Sequence, residues 1–280
     1  MERILITEKL RRFLKEDLGH GDLTTNSLVP SDQLATGIIH AKESGVVSGI
    51  DVAEEVFAIL DTQTKWEAEK QDGEKVKKGD IIARVYGRAG VVLKGERLAL
   101  NLMQRMSGIA TLTSRYVSQI KSDKCKVVDT RKTTPGLREF EKFAVKCGGG
   151  SNHRFALYDA VMIKDNHIKL AGSIKSAVKK ARANIPHTAK IEVEVESKDQ
   201  VIQAVESKAD IIMLDNMSLM EMEEAVTIVG GKSITEASGG ITLETIGDVS
   251  STGVDYISVG ALTHSVKALD ISLDINFKKE

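Results

Sequence analysis

Four short stretches of this 280-residue chain close on residues that can do ionic chemistry. Asp129-Thr130-Arg131-Lys132 follows an apolar pair, and Lys164-Asp165-Asn166-His167 follows Met162-Ile163. Glu194 and Asp215-Asn216 close two more. Two further runs end in small residues, Ser238-Gly239-Gly240 and Val259-Gly260-Ala261, and His153-Arg154 follows Gly148-Gly149-Gly150. Gathered in one cleft, Arg131, Lys132, His153, Arg154 and Lys164 would repel one another unless an anion compensated them. That predicts a substrate with at least two carboxylates or phosphates. Arginine suits bidentate carboxylate recognition, and lysine acts as a compact point charge. Glu194 and Asp215 could hold hydroxyls or a Mg²⁺ brought in by a phosphorylated substrate. Glycines after two late strands would let backbone N–H groups approach a phosphate. Taken singly, each charge reads as a surface ion pair and each glycine pair as a turn. Their joint placement carries the inference.

The elements that must position these groups are legible from periodicity. Strand-like runs occur at 126–129, 160–163, 191–195, 210–214, 233–237 and 256–259, with helices between several of them. Ser173 opens a helix over 174–183, and Ser218 with Glu221 forms a capping box before 222–229. Strands alternating with helices describe a parallel α/β sheet whose active site lies at the C-terminal strand ends. Six clear repeats and a weak one near 143–147 suggest a barrel of seven or eight strands. A doubly wound open sheet is the alternative, but no GxGxxG turn follows the first strand. Earlier in the chain, apolar residues from Leu98 to Ile120 at spacings of three and four predict a long helix over 96–120, with Arg97, Asn101 and Arg105 as a polar stripe. Short strands are expected at 36–41, 45–48 and 80–86. The glycine-punctuated segment 72–82 looks like the hammerhead of lipoyl and biotinyl carriers, without their modified-lysine hairpin.

Composition narrows the field. Lys plus Arg is 39 and Asp plus Glu is 40, a formal net charge of −1, which argues against binding nucleic acid through bulk positive charge. Aromatics at 4% are too few for a base-stacking platform. Two cysteines, Cys125 and Cys147, make no disulfide framework and point to a reducing compartment. The N-terminus turns charged at Glu8 and Lys9 before a signal-peptide core develops, and no apolar run approaches the roughly 18 residues that span a bilayer. A cytoplasmic protein with no membrane and no nucleic-acid partner is expected. Cys147 and His153 lack the partner cysteines of a closed zinc site, and Gly148-Gly149-Gly150 lacks the Lys-Ser/Thr of a Walker loop. Lys164 at a strand end could instead be the Schiff-base lysine of an aldolase.

In order along the chain, Glu96-Arg97-Leu98-Ala99-Leu100-Asn101, Asp129 to Gly136, Gly148 to Arg154, Met162 to His167, Glu192 to Val195, Met213 to Asn216, Ser238 to Ile241 and Val259 to Ala261 resemble the quinolinate phosphoribosyltransferases. The resemblance covers the chain from about residue 16 to its end. It implies the type II phosphoribosyltransferase fold: an N-terminal α/β sandwich domain over 1–108, joined by the returning segment 266–280, and a seven-stranded open barrel over 109–265. It implies transfer of phosphoribosyl from phosphoribosyl pyrophosphate to quinolinate with decarboxylation, giving nicotinate mononucleotide, pyrophosphate and CO₂. Quinolinate would meet Thr130, Arg131, His153, Arg154 and Lys164, with Arg97 reaching in from a partner subunit. Lys132, Glu194 and Asp215 would be catalytic, and Lys132 would also handle the donor. Asn216, Ser238, Gly239, Gly240, Val259, Gly260 and Ala261 would hold its phosphates. Mg²⁺ would ride on the donor, with Glu194 and Asp215 placed to help, and no organic cofactor is needed. The assembly implied is a homodimer with shared sites, alone or built into a hexamer. Related enzymes acting on another pyridine carboxylate, among them the molybdenum-locus paralogues and nicotinate phosphoribosyltransferase, share several blocks. The former tend to lack the Lys164 to His167 block that is intact here.

Overall fold

The computed structural model describes residues 1–277; residues 278–280 of the expected C-terminal segment lie outside the described residues. The chain opens with α1 (Arg3–Leu18), α2 (Leu23–Leu28), β1 (Leu34–Ala41), β2 (Gly45–Val46), α3 (Ile50–Leu60), β3 (Lys65–Ala68), β4 (Lys75–Val76), β5 (Ile81–Arg88) and α4 (Ala89–Ser118). It continues through β6 (Lys126–Val128), α5 (Arg138–Cys147), β7 (Val161–Ile163), α6 (Asp165–Ala171), α7 (Ile174–Asn184), β8 (Ile191–Val195), α8 (Lys198–Glu206) and β9 (Ile211–Asp215). Then come α9 (Leu219–Val229), β10 (Ile234–Ser238), α10 (Ile246–Ser251), β11 (Tyr256–Ser258), α11 (Ala261–His264) and β12 (Ile271–Phe277). No helix among the described residues is long and apolar enough to cross a membrane.

The chain divides into two compact units. The first holds Met1–Leu112, Gly136–Gly149 and the chain from Ser265 onward. Its antiparallel sheet has the order β12-β1-β5-β3, so the last described strand pairs with the first along 35–41. The 72–82 segment forms β4, which pairs antiparallel with β2, and the start of β5. Helix α3 answers to none of the expected elements; Ile50, Val52, Ala53, Val56 and Phe57 are buried on it. Helix α4 begins seven residues before the expected 96. Helix α5 also belongs to this unit: Arg105 pairs with the fully buried Glu141 at 2.7 Å, and the rings of Phe13 and Phe140 lie 6.3 Å apart.

The second unit holds Thr113–Pro135 and Gly150–His264. Its sheet is parallel, six strands in the order β6-β11-β10-β9-β8-β7. The expected helix starts are realised. Ser173 accepts from Ser176 N–H, and Ser218 with Glu221 closes a capping box at α9. The seventh repeat expected at 143–147 is a correction, because those residues are helical in α5. Phe140, Ala144 and Val145 recur at helical spacing and are buried, with Glu139 and Glu141 in the first turn. What extends the sheet beyond β6 is one parallel bridge, Val128 to Ser151. The barrel is therefore open.

Gly108 of α4 shows how closely the returning chain lies within the first unit. A Cβ there would collide with the Lys267 carbonyl oxygen and meet Ala268 Cα at 3.1 Å. Backbone cannot step aside as a side-chain tip can. Gly108→Ala is expected to destabilise the protein by about 1–3 kcal/mol, measured by denaturant unfolding.

Candidate active site

Parallel strands bring their C-terminal ends to one rim. Side chains alternate along each strand, and the register makes one face apolar: Val127, Ile163, Val193, Ile212, Leu214, Ala237 and Ile257 are all buried. The opposite face carries the chemistry. At the strand ends it presents Thr130, Lys164, Glu194, Asp215, Ser238 and Gly260; two residues earlier it presents Met162, Glu192, Met213, Glu236 and Ser258. The first set lines a cavity of about 730 Å³ together with Arg131, Lys132, His153, Arg154, Asn216, Gly239, Gly240, Val259 and Ala261. Arg97 is not among the lining residues; it is exposed on α4 in the first unit. The cavity wall also includes His264, Ile241 and Thr242, which sequence reasoning missed. His264 had a signal: it ends the short helix directly behind Gly260-Ala261, and its ring lies 3.1 Å from where a Cβ on Gly260 would stand.

Hydrogen bonds fix the turns that carry the cations. Buried Asp129 accepts from His153 N–H at 3.0 Å and from the Asn152 amide at 2.6 Å. Thr130 Oγ1 accepts from Lys132 N–H at 3.0 Å, and Thr263 Oγ1 donates to the Lys132 carbonyl at 2.7 Å. Arg154 donates from Nη1 to the Ala160 carbonyl at 2.8 Å, while its buried Nε has no hydrogen-bond partner. Arg154 forms no ion pair among the described residues. Burial, and then the charge of Arg131, push its pKa down. A partly desolvated guanidinium beside a second one suits an anion.

The five expected cations are not equivalent. Lys164 Nζ is ion-paired to Glu194. An ammonium held by a carboxylate has no lone pair with which to attack a carbonyl, which disfavours the Schiff-base reading. His153 Nδ1 accepts a hydrogen bond from Arg154 N–H at 2.7 Å. A backbone N–H can only donate, so the ring hydrogen sits on Nε2 and the imidazole is neutral. That Nε2 faces Glu192 Oε2 at 3.1 Å and Glu236 Oε1 at 3.6 Å. His153, Glu192 and Glu236 thus bring three potential metal-ligand atoms within 4.8 Å of one another. Metal binding through Nε2 would require the proton on Nδ1, where the Arg154 N–H already points. The trio fits a shared proton and does not fit a cation.

The anionic and phosphate-like half lies on β9, β10 and β11. Burial, and then Glu194, raise the pKa of Asp215, while a hydrogen bond from Asn216 Nδ2 at 2.8 Å and the charges of Lys164 and Lys132 lower it. Asn216 has φ +54°, a left-handed backbone that asparagine tolerates. Its N–H donates to the Ser238 carbonyl at 2.9 Å. Gly239 (φ +95°) packs against it so closely that a Cβ would collide with the Asn216 side chain.

Comparison with known proteins identifies the family. Residues 22–107 match the N-terminal domain and residues 109–274 the C-terminal domain of quinolinate phosphoribosyl transferase. The chain is 46% identical to the probable nicotinate-nucleotide pyrophosphorylase [carboxylating] of Bacillus subtilis, covering all of this chain and 96% of that protein. It is 43% identical to quinolinate phosphoribosyltransferase [decarboxylating] 2b, mitochondrial, of Nicotiana tabacum, over 97% of this chain and 82% of that one. The crystal structure of NadC from Streptococcus pyogenes superposes with a TM-score of 0.96 at 42% identity, covering 100% of this chain and 99% of that one. The chain belongs to the quinolinate phosphoribosyltransferase family.

The two glycines after β10 differ in their surroundings. Gly240 (φ +61°) has open space around it, and Gly239 does not. Gly240→Ala should cost about 1 kcal/mol and Gly239→Ala at least about 2 kcal/mol, compared by chemical denaturation of the two variants.

Proposed function

We propose that this chain, as a member of that family, transfers the phosphoribosyl group of phosphoribosyl pyrophosphate to quinolinate with decarboxylation. The products are nicotinate mononucleotide, pyrophosphate and CO₂, and the chemistry is that of a pentosyltransferase in pyridine nucleotide synthesis. The observation that carries the reading is the half-buried Arg154 guanidinium, its buried Nε without a partner, beside Arg131 on the wall of a cavity that glycine loops also line. A pyridine dicarboxylate suits the first half, and a polyphosphate sugar suits the second.

In this reading Arg131 and Arg154 grip the two ring carboxylates, with Thr130, His153 and Lys164 completing the wall. Lys132, Asn216, His264 and the loops 238–240 and 259–261 take the donor's phosphates. The donor brings its Mg²⁺ as part of the substrate. As pyrophosphate departs, positive character grows at the ribose C1, and the carboxylates of Glu194 and Asp215 stabilise it. The pyridine nitrogen bonds to C1. The resulting pyridinium withdraws electrons from the adjacent ring carbon, so CO₂ leaves with its bonding pair staying on that carbon, which then takes up a proton from solvent to give the product. Holding both carboxylates in attack geometry supplies much of the rate.

Arg97, exposed on α4, is assigned to the cavity of a second copy in a homodimer. We place the reaction in the cytoplasm. Both cysteines are free, and burial pushes each thiol up to about 11, which leaves neither poised for oxidation.

The deciding assay measures pyrophosphate and CO₂ release with quinolinate, with nicotinate as the control. Turnover of quinolinate alone is expected, and turnover of nicotinate without CO₂ would assign the chain to a related activity. In the same assay, Arg131→Lys should raise the quinolinate KM by roughly tenfold or more, the loss of a bidentate contact, with the donor KM little changed. Equal losses for both substrates would contradict the assignment. Arg97→Ala and Lys132→Ala subunits, each inactive alone, should regain part of their activity when mixed and allowed to form hybrids. No recovery in verified hybrids would refute a shared site.

A further inference from the structure

Two carboxylates take no part in the chemistry described so far. Glu192 on β8 and Glu236 on β10 lie two residues before the strand-end groups and are only 1% and 4% exposed. Both face the single N–H of the neutral His153 ring. One donor cannot satisfy two buried anions, and Glu236 Oε1 has no hydrogen-bond partner among the described residues. An ionised carboxylate in that position is costly, and a neutral one far less so.

We propose that Glu236 is a positioning residue of the quinolinate half-site that works in its neutral acid form, and that its ionisation weakens quinolinate binding while sparing the donor. This rests on the function proposed above. The groups around Glu236 support it from every neighbouring strand. Glu192 comes from β8, His153 from the segment after the Ser151 bridge, and Asp129 from the end of β6. Ser258 lies beside it on β11, its hydroxyl donating to the Ala237 carbonyl at 3.4 Å, and Tyr256 stands opposite in register. Burial, and then Glu192, push Glu236 up to about 7, while His153 and Ser258 act in the other direction.

The coupling to substrate runs through two neighbours in sequence. His153 is held from below through Nε2 and holds the Arg154 N–H through Nδ1. The acid form of Glu236 adds no negative charge to this arrangement. Its ionisation would draw His153 toward protonation and break its Nδ1 acceptor role. It would also offset the positive field that Arg154 and Arg131 present to a dianion. Quinolinate therefore binds best below about pH 7 and takes up a proton on binding above it. The donor half, at the ends of β9, β10 and β11, does not include the Arg154 N–H that His153 holds, and so does not share this dependence.

The test is the KM of each substrate across pH for wild type, Glu236→Gln and Glu236→Ala. Wild-type quinolinate KM should rise above neutrality toward a limit of about tenfold per pH unit, with donor KM flat. Glu236→Gln, which keeps the shape of the neutral acid, should hold the low-pH quinolinate KM throughout, and Glu236→Ala should lose affinity at every pH. A Gln variant that retains the wild-type pH profile, or that loses affinity at low pH as fully as the Ala variant, overturns the proposal. Should Glu236→Gln fail to fold, calorimetry of quinolinate binding to wild type at mildly alkaline pH, in buffers of different ionisation enthalpy, decides instead. Proton uptake supports the proposal, and none overturns it. Wild-type turnover of quinolinate in the same series separates failure of this inference from failure of the functional reading.

Discussion

Charge compensation on the floor and wall of one cavity is the constraint to which the rest of the structure answers. Arg131, Lys132, Arg154 and Lys164 line it together with Glu194 and Asp215, and Glu192 and Glu236 lie buried two residues down their strands. In a low-dielectric setting such groups are tolerable only when paired, neutralised by a proton, or matched by a bound ion. Two of these are in place, and the third is left open. Lys164 and Glu194 pair directly, the neutral His153 presents its one N–H to Glu192 and Glu236, and Arg154 keeps a buried Nε with no partner. At the last of these a bound anion would supply the missing partner.

The parallel sheet makes that arrangement possible because its two faces do separate work. One face is mostly apolar and buried, with Val127, Ile163, Val193, Ile212, Leu214, Ala237 and Ile257 upon it. The intervening residues are then free to carry charge without loss of core. A shift of one residue in any strand would exchange the two sets. The polar groups stay in place because the apolar face fixes the register. The glycines after β10 and β11 complete the rim by letting backbone approach where a side chain would collide, most sharply where Gly239 meets Asn216.

Much of this was readable in advance. The six parallel strands stand within a few residues of their expected positions, because apolar runs bounded by polar turns have few other ways to fold. The caps at Ser173 and Ser218 were equally plain, since a hydroxyl before a helix answers local donors. Segment 143–147 differs from its expected strand because a five-residue window of Phe, Ala, Val, Lys and Cys suits strand or helix alike; the deciding contacts, Phe13 against Phe140 and Arg105 with Glu141, come from residues far away in sequence. His264 was passed over because a lone histidine on a short helix has no pattern of its own.

Sequence alone determined the chemistry available: which residues end the strands, the balance of cations against glycine loops, and the ordered motifs that mark the family. It did so because these depend on spacing within a strand or a turn. Tertiary structure decided protonation and pairing. That Lys164 meets Glu194, that His153 carries its proton on Nε2, and that Glu236 lies buried beside Glu192 depend on distances between strands tens of residues apart. Electrostatic energy depends on those distances and on how much water remains between the charges, and neither is written in the order of the residues.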